Sequence, residues 1–241
     1  MNHVNYGSRQ IAYRVRIGRR RKTAAISVSP NAQVVISIPP FLTQGDVYDL
    51  VRKKARWIFS KQDYFKNTAR LFPEKEWVSG EEILFLGRRC RLKIKRLETK
   101  EAALTVERAG RRILVTLPQG FKEEKPAIRD ALVAWYAQEA EVTIRQRAAH
   151  YCKQLGIQPK EVIIKNQERR WGSCSKSGIV RINWKIIMAP LSIVDYVIVH
   201  ELGHLRVTNH SPEFWKLVSS VLPDYQIRRD WLRQNATALR V

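Results

Sequence analysis

The chain has 241 residues, of which 44% are hydrophobic, and its 44 Lys and Arg outnumber its 22 Asp and Glu, giving a formal net charge of +22. This composition is sufficient for a packed core, in one large domain or two small ones, and excludes collagen-like and disordered chains. No apolar run approaches the roughly 18 residues of a membrane-spanning helix, and the polar N-terminus lacks a secretory signal, so we predict a cytoplasmic protein.

The basic residues are clustered. One cluster contains no acid and comprises Arg9, Arg14, Arg16, Arg19, Arg20, Arg21 and Lys22, and a second comprises Arg88, Arg89, Arg91, Lys93, Lys95 and Arg96. Such a field favours polyanions, acidic surfaces or nucleic acid as partners, although solvated strand faces that confer solubility have the same composition. Since no known nucleic-acid-binding motif accompanies the clusters, binding would be non-specific and directed to the backbone.

The three cysteines, Cys90, Cys152 and Cys174, are far apart and form no C-x-x-C pair. Their number and spacing argue against a disulfide framework and against a thiolate zinc site. We expect reduced, mostly buried thiols.

Two β-hairpins of similar sequence indicate an internal repeat. Residues 24–28 resemble residues 102–106, and residues 34–39 resemble residues 113–118. Both pairs are rich in β-branched residues and are separated by short turn-like stretches, as expected of hairpins.

A helical pattern follows each hairpin, at about 44–65 and about 124–150. Trp57 and Trp135 occur at nearly the same distance after the proline that ends each hairpin. We therefore predict an α+β fold with a duplicated hairpin-plus-helix unit. A further strand pair is predicted at 80–87 and 90–96, and the stretch 71–80 is the candidate linker.

The last third of the chain has a different pattern. It predicts a strand at 161–165, a loop at 167–176, a strand at 179–184 and then three helices. Ser192 with Asp195 forms a capping-box pattern for the first helix, and Ser211 followed by proline is an N-cap pattern for the second. Asp224 can cap the third helix.

Three of the five histidines lie in the segment His200-Glu201-Leu202-Gly203-His204, followed after five residues by His210. Helix positions four apart share a face, so His200 and His204 can hold one metal ion together. A helix that ends near residue 208 would return His210 to the same ion. Three histidines with an open fourth position are typical of a catalytic zinc site.

The residue types in this segment predict peptide hydrolysis. Zinc, one ion per chain, would lower the pKa of its bound water towards about 7, and Glu201 would accept the proton and deliver it to the leaving amine. Tyr225, Arg170 and His150 are candidates by residue type for the oxyanion donor. Mn²⁺, Co²⁺ or Ni²⁺ could also bind three imidazoles. The site departs from metzincins, because Val207 replaces their glycine and no methionine follows His210.

In these and other segments the chain resembles the YgjP-like metallopeptidase family. The matching segments are Arg170-Trp171-Gly172-Ser173-Cys174, Ile182-Asn183-Trp184, Asp195-Tyr196-Val197, His200-Glu201-Leu202-Gly203-His204-Leu205, Asn209-His210-Ser211, Phe214-Trp215 and Pro223-Asp224-Tyr225, with upstream matches at Trp57-Ile58, Gly80-Glu81 and Leu86-Gly87. The resemblance implies a small zincin-like domain, related to SprT-like proteases, with ligands His200, His204 and His210 and base Glu201. It implies that the strand at 179–184 is the edge that pairs with an extended peptide, and it makes Trp171 and Asn183 candidate substrate contacts, although Trp171 is equally a candidate core anchor.

These observations predict a basic β-rich region at 1–120, with its first unit at about 10–70 and the strands of its second at about 80–120, and a metallopeptidase domain at 121–241. The leading prediction is a zinc peptidase acting on peptide or protein substrates, including proteins associated with DNA or RNA. The alternative is a basic nucleic-acid-binding module with a secondary zinc site. The substrate, endo- versus exo-cleavage, latency and the oligomeric state remain open.

Overall fold

The computed structural model describes residues 2–29, 31–71, 75–99, 102–121 and 123–241, without the side chains of residues 68–71. Over these residues the chain forms six α-helices and three mixed β-sheets, so the α+β class is confirmed. The chain divides into two compact units, 1–74 and 75–241. Part of the predicted linker, residues 72–74, lies outside the described residues.

The first unit is a four-stranded sheet with two helices. Its elements are β1 (Asn2–Tyr6), β2 (Arg9–Ile17), β3 (Ala25–Val28), β4 (Val34–Ile38), α1 (Gln44–Lys53) and α2 (Ala55–Leu71). The strand order is β1-β2-β4-β3, with β2 and β4 parallel and the other pairs antiparallel. Its own core contains Ile11 and Ile36 from the sheet and Val51 and Ile58 from the helices.

Two features of this unit differ from the prediction. Strands β1 and β2 were not predicted. In β2, the arginines at positions 9, 14 and 16 hide the alternation of Ile11 and Tyr13 into the core. The predicted helix at 44–65 is two helices, since α1 ends at Lys53 and α2 begins at Ala55. Thr43 and Asp46 form a capping box that starts α1.

The second unit opens with a sheet of the same plan. Its strands are β5 (Glu82–Phe85), β6 (Arg88–Arg96), β7 (Thr105–Ala109) and β8 (Arg112–Leu117). They take the order β5-β6-β8-β7, with β6 and β8 parallel and the outer pairs antiparallel. The two sheets therefore share strand order and strand directions.

The 32-residue helix α3 (Glu124–Leu155) joins this sheet to the rest of the second unit. Ile113 and Val115 of β8 belong to the same buried cluster as Ile128 and Leu132 of α3 and Leu202 further on. One core thus extends across residue 120. The predicted division at 120/121 assigns a basic region to one side and a catalytic region to the other. This functional division stays a prediction.

A three-stranded sheet follows α3 and consists of β9 (Glu161–Lys165), β10 (Gly172–Cys174) and β11 (Ile179–Asn183). The strands predicted at 161–165 and 179–184 are confirmed. The predicted loop at 167–176 contains β10, and β11 is the central strand of the order β10-β11-β9. The expectation that the strand at 179–184 is an edge is therefore wrong, because β11 pairs with β9 on one side and antiparallel with β10 on the other.

A 3-10 turn (Trp184–Met188) leads into three helices, α4 (Leu191–Gly203), α5 (Pro212–Val221) and α6 (Tyr225–Asn235). The predicted capping box of Ser192 and Asp195 is wrong, since Pro190 is the N-cap of α4 and Asp195 lies a full turn inside the helix. Ser211 is the N-cap of α5, followed by proline, as predicted. Asp224 is the N-cap of α6, but its side chain makes no capping hydrogen bond.

Among the helices of the described residues, none is long and apolar enough to cross a membrane.

Candidate metal centre and active site

Helix α4 carries the first residues of the site into the middle of the second unit. Ten of its 13 residues are buried, among them Val194, Ile198 and Leu202. A helix that is apolar on all sides must be covered on all sides, and α4 packs against α3, α5, α6 and the small sheet. Its last turn, with His200 and Glu201, is therefore held by packing from several directions.

The helix ends earlier than its sequence predicts. Its last residue is Gly203, and His204 is the C-cap rather than a residue inside a helix reaching 208. Because His204 keeps helical backbone angles, with φ −66° and ψ −13°, its side chain stays beside that of His200. The early end leaves residues 205–210 to turn back towards α4.

The three predicted histidines come together. A ring nitrogen from each of His200, His204 and His210 lies within 4.8 Å of the others, and His200 Nε2 is 3.0 Å from His210 Nε2. Zinc–nitrogen bonds of about 2.0–2.1 Å place the nitrogens of a tetrahedral site at separations of this size. His200 and His204 are half-buried, whereas His210 is exposed.

The protonation of two of these imidazoles, His200 and His204, suits a cation. His204 Nδ1 donates to the carbonyl oxygen of Val207 over 3.1 Å, because a carbonyl can only accept, and this leaves Nε2 with its lone pair. Burial, together with His204 and His210, lowers the pKa of His200 to about 3. Burial also lowers the pKa of His204. Neutral imidazoles are the form that binds metal, so the donor set fits a divalent cation such as zinc.

Aromatic rings support the histidines. The Phe214 ring lies 5.0, 4.6 and 5.0 Å from the rings of His200, His204 and His210. Gly203 permits this approach, since a Cβ there would lie 3.1 Å from Phe214 Cε2. Trp215 stacks on His210 with ring centroids 5.7 Å apart. The first turn of α5 thus fixes the orientation of the imidazoles.

Glu201 lies on a different side of α4 from the imidazoles and faces strand β10. Its side chain is buried, and burial raises its pKa to about 7, against a lowering effect of the Arg170 charge. It fits against Gly172 so closely that a Cβ on this glycine would lie 2.5 Å from Glu201 Cγ and 2.6 Å from Oε1. A carboxylate with this pKa can gain and lose a proton near neutral pH.

The model of a known family matches this chain over residues 22–235, and its description is "YgjP-like, metallopeptidase domain". The chain belongs to the YgjP-like metallopeptidase family. The resemblance stated from the sequence is confirmed, and membership supports a peptidase with a catalytic metal.

This YgjP-like chain was also compared with solved structures and with curated proteins. One solved structure, the metallopeptidase zymogen of Pyrococcus abyssi abylysin, is similar over 38% of this chain and 93% of its own, at 23% identity and a TM-score of 0.36. No curated protein matches the chain significantly.

A partly buried ion pair joins α3 to α4, the helix that carries His200 and Glu201 of this YgjP-like chain. Arg147 Nε and a terminal nitrogen donate to the two oxygens of Asp195 over 2.6 and 2.7 Å, and Arg147 also donates to the Tyr151 hydroxyl over 3.2 Å. Asp195 raises the pKa of Arg147 further. Asp195 therefore fixes α4 from its side, five residues before His200, and does not cap its start.

The predicted contacts at Arg170, Trp171 and Asn183 occupy different environments. Arg170 is exposed, and its charge acts on Glu201. Trp171 is half-buried against the core. Asn183 is buried, its amide nitrogen donates to the carbonyls of Gln167 and Arg170, and its oxygen accepts from Lys185 N. Asn183 thus holds the segment 167–170 in place, and a substrate contact of its amide stays a prediction.

The two other candidates contact aromatic rings. Tyr225 stacks on Trp215, which in turn stacks on His210, and its hydroxyl accepts from Gln226 over 3.4 Å. His150 is exposed on α3 with its ring 5.0 Å from that of Tyr151. Stacking therefore links Tyr225 to the three histidines through Trp215, whereas the described ring contact of His150 is to Tyr151.

Sequence reasoning missed three contributions to the site. Gly172 and Phe214 were noted only as parts of family segments, and Asp195 was assigned to a cap. Their partners are Glu201, the three histidines and Arg147. A charged residue inside a strongly apolar stretch is the signal that could have found Asp195.

Proposed function

We propose that this protein is a zinc-dependent peptidase in which Glu201 is the general base. The observation that carries the proposal is the meeting of three imidazole nitrogens within 4.8 Å at one end of α4, where the next residue after His200 is Glu201 with its buried carboxyl group. Family membership supports hydrolysis of peptide bonds.

His200, His204 and His210 would hold one metal ion per chain. Three imidazole nitrogen donors favour zinc among the abundant divalent ions. Phe214 contacts all three rings, and the Val207 carbonyl holds the ring of His204. Bound zinc supplies a Lewis acid for the scissile carbonyl and for water. In this proposal α4 is the active-site helix of the H-E-x-x-H pattern.

Glu201 accepts a proton from the attacking water at its carboxylate and passes it to the nitrogen of the leaving amine. A pKa of about 7 matches both steps, because a base that is too weak does not accept the proton and one that is too strong does not release it. The fit against Gly172 limits the side chain to one position. The protein thus supplies a base that is already oriented.

An extended peptide is the substrate form that the small sheet favours. Strand β10 lies at the edge of its sheet, and Gly172 brings this edge into contact with Glu201. Backbone pairing of a peptide with such an edge would place a scissile bond near the base. Arg170 leads into β10 and is our first candidate for a substrate or oxyanion contact, followed by Trp171, Tyr225 and Asn183.

Cleavage of casein and of a fluorogenic peptide library at fixed zinc tests the proposal. Wild type, Glu201→Gln and the exposed-site control Glu98→Gln are compared, each with its metal content measured by atomic absorption. We expect wild type and Glu98→Gln to cleave, and Glu201→Gln to lose at least about 100-fold in rate while it keeps one metal per chain. Cleavage by Glu201→Gln at the wild-type rate would exclude Glu201 as the base.

A second candidate function concerns nucleic acid. The net charge of +22 favours association with DNA or RNA, so we also propose that the substrates include proteins bound to nucleic acid. If no variant cleaves any peptide yet the chain binds DNA, the alternative of a binding module gains support. Fluorescence anisotropy of labelled DNA at several salt concentrations decides whether the association exists, since such binding weakens steeply with salt.

Two further inferences belong with this proposal. We infer that the two four-stranded sheets arose by duplication of one hairpin-plus-helix unit, an inference supported by their shared strand order. The cytoplasmic location stays a prediction, and three free cysteines suit a reducing compartment.

A further inference from the structure

The outward face of the second-unit sheet β5–β8 is basic. Alternation along β6 buries Cys90 and Leu92 and points Arg89, Arg91, Lys93 and Lys95 away from the core. The strand register adds Arg112, which lies opposite Arg91 on β8. The same face holds two acids, Glu82 opposite Arg91 on β5 and Glu107 on β7. We call this set the β6 face.

The sheet geometry sets the spacing of these charges. Alternate residues of a strand lie about 6.8 Å apart and neighbouring strands about 4.8 Å apart, so the four cations of β6 form a row about 20 Å long. Like charges held at this spacing repel one another, and only Arg89 of these cations is paired by a described ion pair, with Glu82 at 3.0 Å. A polyanion that brings several negative charges at once offsets this repulsion.

The first-unit sheet repeats the arrangement. Residue 34 of β4 corresponds in the repeat to residue 113 of β8, and the parallel registers then align Arg14 with Lys93 and Arg16 with Lys95. Both arginines are exposed on the outward side of β2, and the chain has no acid before Asp46. We call Arg14 and Arg16 the β2 face. Basic residues therefore occupy the same two outward positions of the central strand in both sheets.

We propose that the β6 face and the β2 face are each a surface that binds the phosphate backbone of duplex nucleic acid. The outward residues of both sheets include no aromatic side chain on β2, β4, β6 or β8 among the described residues, so the faces lack the stacking platforms that single strands use. Point charges without base-reading side chains predict binding that is independent of sequence. This inference rests on the nucleic-acid association proposed above and is independent of the peptidase proposal.

Anisotropy titrations of the full chain against a labelled 20-base-pair DNA duplex, over a range of salt, test the proposal. The variants are Lys93→Glu/Lys95→Glu, Arg14→Glu/Arg16→Glu and a control, Arg52→Glu/Arg56→Glu, at exposed helix positions of the first unit. All three change the net charge equally, and circular dichroism checks that each is folded. A single-stranded oligonucleotide and vesicles containing phosphatidylserine serve as competing polyanions.

We expect each face variant to weaken duplex binding at least about tenfold and to reduce the slope of log K against log salt by about 2, because each lysine or arginine that neutralises a phosphate contributes about 0.9 to the slope. The control should keep the wild-type slope. If wild type binds and all three variants are weakened equally, net charge alone is responsible and the assignment to these faces is overturned. Absence of wild-type binding overturns both the proposed association with nucleic acid and the assignment of binding to the two faces. Tighter binding to vesicles or to single strands than to the duplex overturns the assignment of duplex nucleic acid as the partner.

Discussion

The close fit between Gly172 and Glu201 makes a quantitative prediction. A Cβ at residue 172 would lie 2.5 Å from Glu201 Cγ, 2.6 Å from Oε1 and 2.7 Å from Cδ. Carbon atoms in contact prefer about 3.5–4.0 Å, so Gly172→Ala requires a shift of about 1 Å. Overpacking of this kind costs about 1–3 kcal/mol. We expect Gly172→Ala to lower the free energy of unfolding by about 2 kcal/mol.

A double-mutant cycle isolates this contact. Glu201→Ala removes the three overlapping atoms, so Gly172→Ala in that background should change the free energy of unfolding by less than about 0.5 kcal/mol, or raise it slightly through the unfolded state. Urea unfolding of all four proteins measures the coupling. Gly45→Ala, whose new Cβ would meet Thr43 Oγ1 at an ordinary 3.6 Å, is the matched glycine control.

Activity provides the second measurement. Displacement of the Glu201 carboxyl by about 1 Å should reduce kcat/KM about 100-fold in Gly172→Ala. Metal affinity should stay near the wild-type value, since the three imidazoles lie outside the contact. An equal cost of Gly172→Ala in both backgrounds, or full activity of the single variant, would refute the claim that this glycine positions the base.

Three other predictions follow from the second unit. Arg147→Met leaves the buried carboxylate of Asp195 unpaired and should lower the free energy of unfolding in urea by about 3 kcal/mol. Arg145→Met removes only the exposed pair with Glu141 and should lower it by less than about 1 kcal/mol. Equal losses in the two variants would contradict the burial argument. Removal of zinc with a chelator should lower the Tm of the wild type, because a ligand at about 100 times its Kd stabilises the folded state by about 2.7 kcal/mol. The Tm of His210→Ala, which lacks one of the three histidines, should stay unchanged. An unchanged wild-type Tm would argue against a bound metal. Tyr136→Phe removes the 2.6 Å hydrogen bond to the Leu84 carbonyl and should cost about 1 kcal/mol by calorimetry, and a neutral effect would show that this carbonyl needs no donor.

Local patterns in the sequence predicted much of the architecture. Strands such as β4 and β8 alternate buried and half-buried residues over five or six positions, and this period is visible in any short window. The spacing of His200 and His204 is one helical turn, so their proximity follows from helix geometry alone. The proline after Ser211 marks the start of α5 for an equally local reason.

What the sequence left undecided depends on residues far apart in the chain. The central position of β11 follows from its pairing with both β9 and β10, and no pattern within 179–184 shows how many neighbours that strand has. Asp195 has a capping pattern in its local sequence, yet its partner Arg147 lies 48 residues earlier on another helix.

The site combines both kinds of information. Its residue types and the His-Glu-x-x-His spacing are local, and they determined the predicted metal ligands and base. Tertiary packing decided the close contact of Glu201 with Gly172 and the position of the Phe214 ring among the three histidines. A packed interior fixes side chains through contacts between elements that are distant in sequence, so such positions exist only once the whole unit has folded.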